Sequence, residues 1–236
     1  MNATELFDAI AQAAHHHAVA LVGVADMAPV RSRFGSFLLE PDPSLNRAVV
    51  MGIPLQQAVL DTLEGRPNPL YFHHYRQLNY QLDRVALVVA HLLQEHGWRS
   101  LAIAASQIVE RKPMLGHLPH KLLGYFAGLG WMGRNNLLVN RRYGACVRYV
   151  TVLTDAPLEP GQPVDDDCGT CRACVAACPG EAIGDSFKTF DLEACTRTLD
   201  DYVRNHVVGQ HICGVCVGAC RGELGRELAS NPAGDG

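Results

Sequence analysis

All nine cysteines of this 236-residue chain lie between residues 146 and 220. Their spacing restricts the fold more than any other feature. The first run reads Cys168-Gly-Thr-Cys171-Arg-Ala-Cys174-Val-Ala-Ala-Cys178-Pro179, which is C-x2-C-x2-C-x3-C-P, the run that wraps a cubane iron–sulfur cluster. Two-residue gaps let three thiolates of one loop reach three irons of one cube, while the fourth, followed by proline, turns toward a second cluster. Gly169, Thr170 and Ala173 are small enough for backbone amides to approach the sulfurs. A second run, Cys213-Gly-Val-Cys216-Val-Gly-Ala-Cys220, keeps C-x2-C-x3-C, and its missing first member is Cys195, separated from Cys213 by 17 residues. A looped-out helix over 196–206 is expected in that gap.

With the crossed ligation of two-cluster ferredoxins, Cys168, Cys171, Cys174 and Cys220 hold one 4Fe–4S cluster. Cys178, Cys195, Cys213 and Cys216 then hold the other. Structural zinc is the competing use of C-x2-C pairs, but four cysteines within eleven residues and a following proline suit it poorly. Cys220 is followed by Arg221 rather than proline. Cys146 is left over; in the strand-like segment 145–150 it reads as a buried apolar thiol.

The cysteine-free part divides from this region at the linker-like segment 157–167, giving expected domains of 1–157 and 158–236. Helical periodicity appears over 4–17, with Thr4 as N-cap, over 71–96, ended by Gly97, and over 121–129. Strands are expected at 19–24, 47–54, 101–105, 137–139 and 145–153. Alternating strands and helices predict an α/β N-terminal domain within an α+β chain. A net charge of −4 argues against binding dominated by nucleic-acid phosphates. No apolar run is long enough for a membrane span, and no secretory leader is evident, so a cytoplasmic location is expected. A reducing compartment in turn favours metal ligation over disulfides.

Between Pro113 and Asn136 lies the segment least like ordinary core, holding five glycines, His117, His120, Lys121 and Arg134. Glycines permit close backbone approach to a large ligand, and Asn and Arg suit polar ones. Neither a G-x-G-x-x-G after a strand nor a P-loop is present. The stretch His120–Asn140 (HKLLGYFAGLGWMGRNNLLVN), followed by Tyr143-Gly144 and Val152–Leu158, resembles the epoxyqueuosine reductase family. Segments 20–25, 48–54 and 71–97 and the order of cluster ligands extend the resemblance over about 5–222. That family is related to corrinoid-dependent reductive dehalogenases.

The resemblance implies a nitroreductase-like domain that binds cobalamin, followed by a ferredoxin-like double 4Fe–4S domain that delivers electrons to it. Gly128, Gly130, Trp131, Gly133, Arg134 and Asn135 would line the corrin. The family's acidic proton donor has no counterpart in 109–120, which leaves Glu110, His117 and His120 as substitutes. Tyr75, in the His-rich start of the long helix, is a further proton donor candidate. His120, Tyr75 and Glu110 are therefore the catalytic candidates. The implied partners are a redox donor such as ferredoxin or flavodoxin and a small-molecule or corrinoid-protein acceptor. The chain ends after the clusters, without the C-terminal helical repeats of many tRNA-acting members. With the acidic pI, this argues against tRNA as substrate. The alternatives are an accessory protein that reduces a partner's corrinoid, and an FMN-dependent variant on the same scaffold.

Overall fold

The computed structural model describes residues 1–33, 42–111 and 114–230. Its elements in chain order are α1 (Ala3–His15), β1 (Leu21–Asp26), α2 (Ala28–Arg33), β2 (Arg47–Pro54), α3 (Gln57–Leu60) and α4 (Pro69–Glu95). Next come β3 (Ser100–Ile103), β4 (Glu110–Arg111), β5 (Met114–Leu115), α5 (His120–Phe126), β6 (Trp131–Met132), β7 (Leu138–Val139) and β8 (Val147–Thr154). The last helices are α6 (Ala173–Ala177), α7 (Leu192–Arg204), α8 (Val215–Gly218) and α9 (Gly222–Ser230). The chain is thus a mixed helix-and-sheet protein, as expected.

The main sheet has the order β1-β2-β8-β3, with β1 antiparallel to β2 and β3 antiparallel to β8. All six inner residues of β2 are buried, the pattern of a strand covered on both faces rather than one. Its β-branched and apolar run, Ala-Val-Val-Met-Gly-Ile, is what such a position requires. Leu6, Ile10 and Ala14 of α1, and Leu82, Val85, Val89 and Leu93 of α4, pack in the same core with Val49, Met51, Val150 and Val152. Each such large side chain contributes about 1.5–3 kcal/mol when fully buried.

Helix ends differ from expectation by one to four residues. The cap of α1 is Asn2 rather than Thr4, because Asn2 Oδ1 accepts from the Glu5 amide while the Glu5 carboxylate takes the Asn2 amide, a reciprocal box. Gly97 follows α4 at φ +85°, as expected for a helix stop. No helix among the described residues is long and apolar enough to cross a membrane.

Two compact units divide the chain. One comprises Met1–Pro54, Leu78–Leu129 and Arg148–Val164; the other comprises Leu55–Gln77, Gly130–Val147 and Asp165–Gly236. The expected domains, 1–157 and 158–236, are consecutive in sequence, whereas these units interleave. Segments 55–77 and 130–147 join the cysteine-bearing part.

Candidate functional site: two groups of four thiols

The two C-x2-C-x3-C runs fold alike. Cys174 lies in the first turn of α6, with Cys178 as that helix's C-cap; Cys216 lies in α8, with Cys220 just beyond it. These two short helices pack against each other. Cys195 lies in the first turn of α7, which starts earlier than expected because Asp191 caps it by accepting from the Ala194 amide. All nine cysteines are free thiols.

Their mutual electrostatics sort eight of them into two sets. Burial raises the Cys174 thiol, and the sulfurs of Cys168 and Cys171 raise it further. Cys220 is pushed up to about 11 by burial and then by Cys174, Cys168 and Cys171. In the other set, Cys195 is pushed up to about 11 by burial and then by Cys213 and Cys178. Cys216 is raised by burial and then by Cys213, Cys195 and Cys178, with Cys174 of the first set as the last and smallest cause. Apart from that one contact, the thiols that raise one another fall in the two fours that a crossed ligation would use.

Four thiols held close together ionise together readily only if a cation or metal cluster neutralises them. The donor set therefore fits two cubane clusters in chemistry and number. Tetrahedral zinc would hold its thiolates only about 3.8 Å apart, from Zn–S bonds of about 2.3 Å. Among the described residues, no three His, Cys, Asp or Glu side chains converge tightly enough for one metal ion.

A cavity of about 540 Å³ opens at the first set. Cys168, Cys171, Cys174 and Cys220 line it, together with Trp131, Arg134 and Asn135. Gly144 shapes its wall. At φ +61° it lets the loop press on the Cys220 carbonyl, where an added Cβ would stand 2.0 Å from the oxygen. The Ala145 amide donates to that carbonyl at 2.8 Å. Cys146 is fully buried, as expected. Its S–H reaches the carbonyls of Val217 and Cys220, both at 3.2 Å, and burial pushes the thiol up to about 12. Near the second set, burial and then the Cys213 sulfur raise the Tyr202 hydroxyl. Tyr202 was missed from the sequence, although its place seven residues after Cys195 puts both on one helix face.

The residues expected at a corrin fall in two groups. An added Cβ at Gly128 would meet the Gln162 carbonyl at 2.6 Å, and one at Gly130 would meet the Val139 carbonyl at 2.1 Å. One at Gly133 would meet the Val139 side chain at 2.4 Å. At these three positions the close approach is of the chain to itself. Trp131, Arg134 and Asn135 lie with the thiols instead.

Of the catalytic candidates, His120 has both ring nitrogens engaged, Nε2 donating to the Ala104 carbonyl at 2.9 Å and Nδ1 accepting from the Thr151 hydroxyl at 2.8 Å. Burial pushes its imidazole down to about 4. Tyr75 is buried, with its ring centroid 6.5 Å from that of Tyr71. Glu110 is exposed, in β4. His117 leaves a buried Nδ1 without a hydrogen-bond partner.

No family model matches the chain. An epoxyqueuosine reductase of Leadbetterella byssophila is 30% identical over 147 residues, 58% of this chain and 45% of the relative. The match thus spans less than half of that relative's length. A reductive dehalogenase whose structure suggests a mechanism for B12-dependent dehalogenation superposes with a TM-score of 0.72 at 20% identity, over 95% of this chain and 33% of that one. An epoxyqueuosine reductase solved with an epoxyqueuosine-modified tRNA-Tyr stem loop superposes with a TM-score of 0.61 at 19% identity, over 95% of this chain and 66% of that one.

That tRNA complex corrects the expectation against tRNA. Net charge sums over a whole surface, whereas a stem loop is held by a local one, so −4 does not weigh against it. The resemblance itself holds: the chain is similar in sequence to epoxyqueuosine reductases, and it shares its fold with them and with a B12-dependent reductive dehalogenase.

Proposed function

We propose that this chain is an iron–sulfur reductase of the epoxyqueuosine reductase type, with electrons entering through two 4Fe–4S clusters. The observation that carries the reading is that Cys168, Cys171, Cys174 and Cys220 line one cavity, while Cys195 and Cys216 are raised, after burial, by Cys213 and Cys178. When bound, such clusters relay one electron at a time from a donor such as ferredoxin or flavodoxin. The chain's own part is to hold eight thiolates and set the hydrogen bonding around the sulfurs. We assign the cluster role to the double-run segment within 158–236, the ferredoxin-like part of the expected α+β arrangement. The nitroreductase-like role falls to the sheet domain within 1–157.

A corrinoid is the acceptor favoured by the shared fold with a B12-dependent dehalogenase. The glycine-rich segment does not support it, since Gly128, Gly130 and Gly133 pack on the chain itself and Trp131, Arg134 and Asn135 stand at the thiols. For proton delivery we retain Glu110, whose carboxylate is exposed, and Tyr75; His120 has no uncommitted nitrogen. Epoxyqueuosine in tRNA is the first substrate to test, by analogy with the relatives.

Anaerobically purified protein should contain about eight irons and eight sulfides per chain. Zinc in their place would overturn the cluster reading. Cobalt uptake, or flavin released on acid denaturation, separates the corrinoid acceptor from FMN. Reduction of epoxyqueuosine in a tRNA stem loop, followed by nucleoside mass spectrometry, tests the reaction.

A further inference from the structure

Strands β6 and β7 form a hairpin in which Trp131 pairs with Val139 and Met132 with Leu138. The chain then runs through a second tight loop, closed between Asn140 and Gly144. This segment, 130–147, holds both cysteine runs. At the hairpin turn, one terminal nitrogen of Arg134 donates to the Gly169 carbonyl at 2.6 Å and the other to the Asp185 carbonyl at 2.9 Å. Gly169 lies between Cys168 and Cys171, and its amide donates to Asp167 Oδ1 at 2.6 Å. The peptides on both sides of Gly169 are thereby fixed.

The far end of the segment meets Cys220. The Ala145 amide donates to the Cys220 carbonyl at 2.8 Å, and the Cys146 S–H lies 3.2 Å from the carbonyls of Cys220 and Val217. Helix α9, which follows at once, is held by the same loop. Its Glu223 amide donates to the Arg141 carbonyl at 3.0 Å, and its Leu224 amide to the Arg142 carbonyl at 2.9 Å. The last carbonyls of one helix and the first amides of the next have no partners within their own helices. Loop 141–146 supplies both kinds, at the point where Arg221 stands in place of the proline that follows the last cysteine of such a run.

Gly169 and Cys220 belong to different runs, yet Cys168, Cys171 and Cys220 line one cavity. Bringing two loops distant in the chain together costs conformational entropy, which a preformed scaffold lowers. We infer that segment 130–147 is a clasp that joins one end of each run at a single cluster, Arg134 setting the Gly169 loop and the Gly144–Cys146 loop setting Cys220. Arg134 and Cys146 are positioning residues, not ligands. The inference rests on the cluster reading proposed above and adds which residues assemble the crossed set.

The test follows iron release to a chelator from the full chain with both clusters loaded. Arg134→Lys keeps the charge, but a single ammonium cannot bridge two carbonyls as the planar fork does. Cys146→Ala removes the S–H, while Cys146→Ser has nearly alanine's volume and restores a donor. Arg134→Lys and Cys146→Ala should each speed release of about four irons roughly fivefold, the loss of one net hydrogen bond. Cys146→Ser should release iron at the wild-type rate. The double variant, Arg134→Lys with Cys146→Ala, should still keep about four irons at that rate, because both residues serve one cluster. All irons fast in any of these proteins, no acceleration in either single variant, or Ser as fast as Ala overturns the inference.

Should a variant fail to load iron, the wild type still decides. Stripped of iron and oxidised with diamide, it should link Cys220 to Cys168, Cys171 or Cys174, as read by peptide mass spectrometry. Disulfides formed only within each run overturn the inference. Wild-type protein purified with no iron and sulfide would instead overturn the cluster reading itself, a result distinct from the others.

Discussion

Whether His120 is a proton donor or a core residue can be decided by how it titrates. Its imidazole lies between the Ala104 carbonyl and the Thr151 hydroxyl, an arrangement that fixes the neutral Nε2–H tautomer. Burial, the largest cause, holds it at about 4 against an ordinary 6.5, and nearby Arg148 lowers it further. The folded state therefore binds fewer protons than the unfolded chain at pH values between about 4 and 6.5. A group depressed in this way takes stability from the fold as pH falls through that window, and the loss levels off below about 4. Between about pH 7 and pH 5 the linkage comes to about 2 kcal/mol. This is an upper figure, because the residue as a whole keeps some solvent exposure. His120→Gln can keep both hydrogen bonds but cannot titrate. Urea unfolding of cluster-loaded protein, followed anaerobically by circular dichroism, should give the wild type a drop about 2 kcal/mol larger than the variant's over that range. Equal slopes, or an imidazole resonance titrating near 6.5, would refute the core assignment and return His120 to the proton-donor candidates.

Paired cysteine removals test the crossed ligation. Cys178→Ala with Cys195→Ala should leave about four irons and one intact cluster signal, whereas Cys174→Ala with Cys178→Ala should remove both. Cys146, pushed up to about 12, should be about one part in ten thousand thiolate near pH 8 and should resist iodoacetamide in the native state. Full alkylation without unfolding would contradict that burial. Gly144→Ala places a Cβ against the Cys220 carbonyl at φ +61°, so it should destabilise by about 1–3 kcal/mol and selectively lower the iron count of the Cys220 cluster.

The legible parts of the sequence were those whose physics is local. The run Arg47–Pro54 read as a strand, and it is one over the same residues. The apolar stripe of α4 placed Leu82, Val85 and Val89 in the core. Cysteine spacing carried the two thiol groups, because a two-residue gap limits where the sulfurs can lie. Glycines were ambiguous. Room for a ligand and room for one's own backbone need the same missing Cβ, and Gly130 uses it for Val139. His120 looked reactive because Thr151, which satisfies it, is 31 residues away. Trp131, Arg134 and Asn135 could not be assigned to the thiols from sequence, since nothing in a linear pattern brings segment 130–147 to Cys168.

Helix α7 has a final consequence. None of its residues is buried, although Cys195 sits in its first turn. A helix with no core of its own is anchored by what that thiol binds, and iron loss should free it to fray. Arg197 and Arg204 would then offer early cuts to a trypsin-like protease, seen by mass spectrometry as peptides that appear when iron is chelated and not before. Cleavage at equal rates with and without chelator would dismiss the idea. If it holds, the lifetime of this chain in a cell is set by iron supply, and the stretch between Cys195 and Cys213 is the fuse that removes molecules unable to carry electrons.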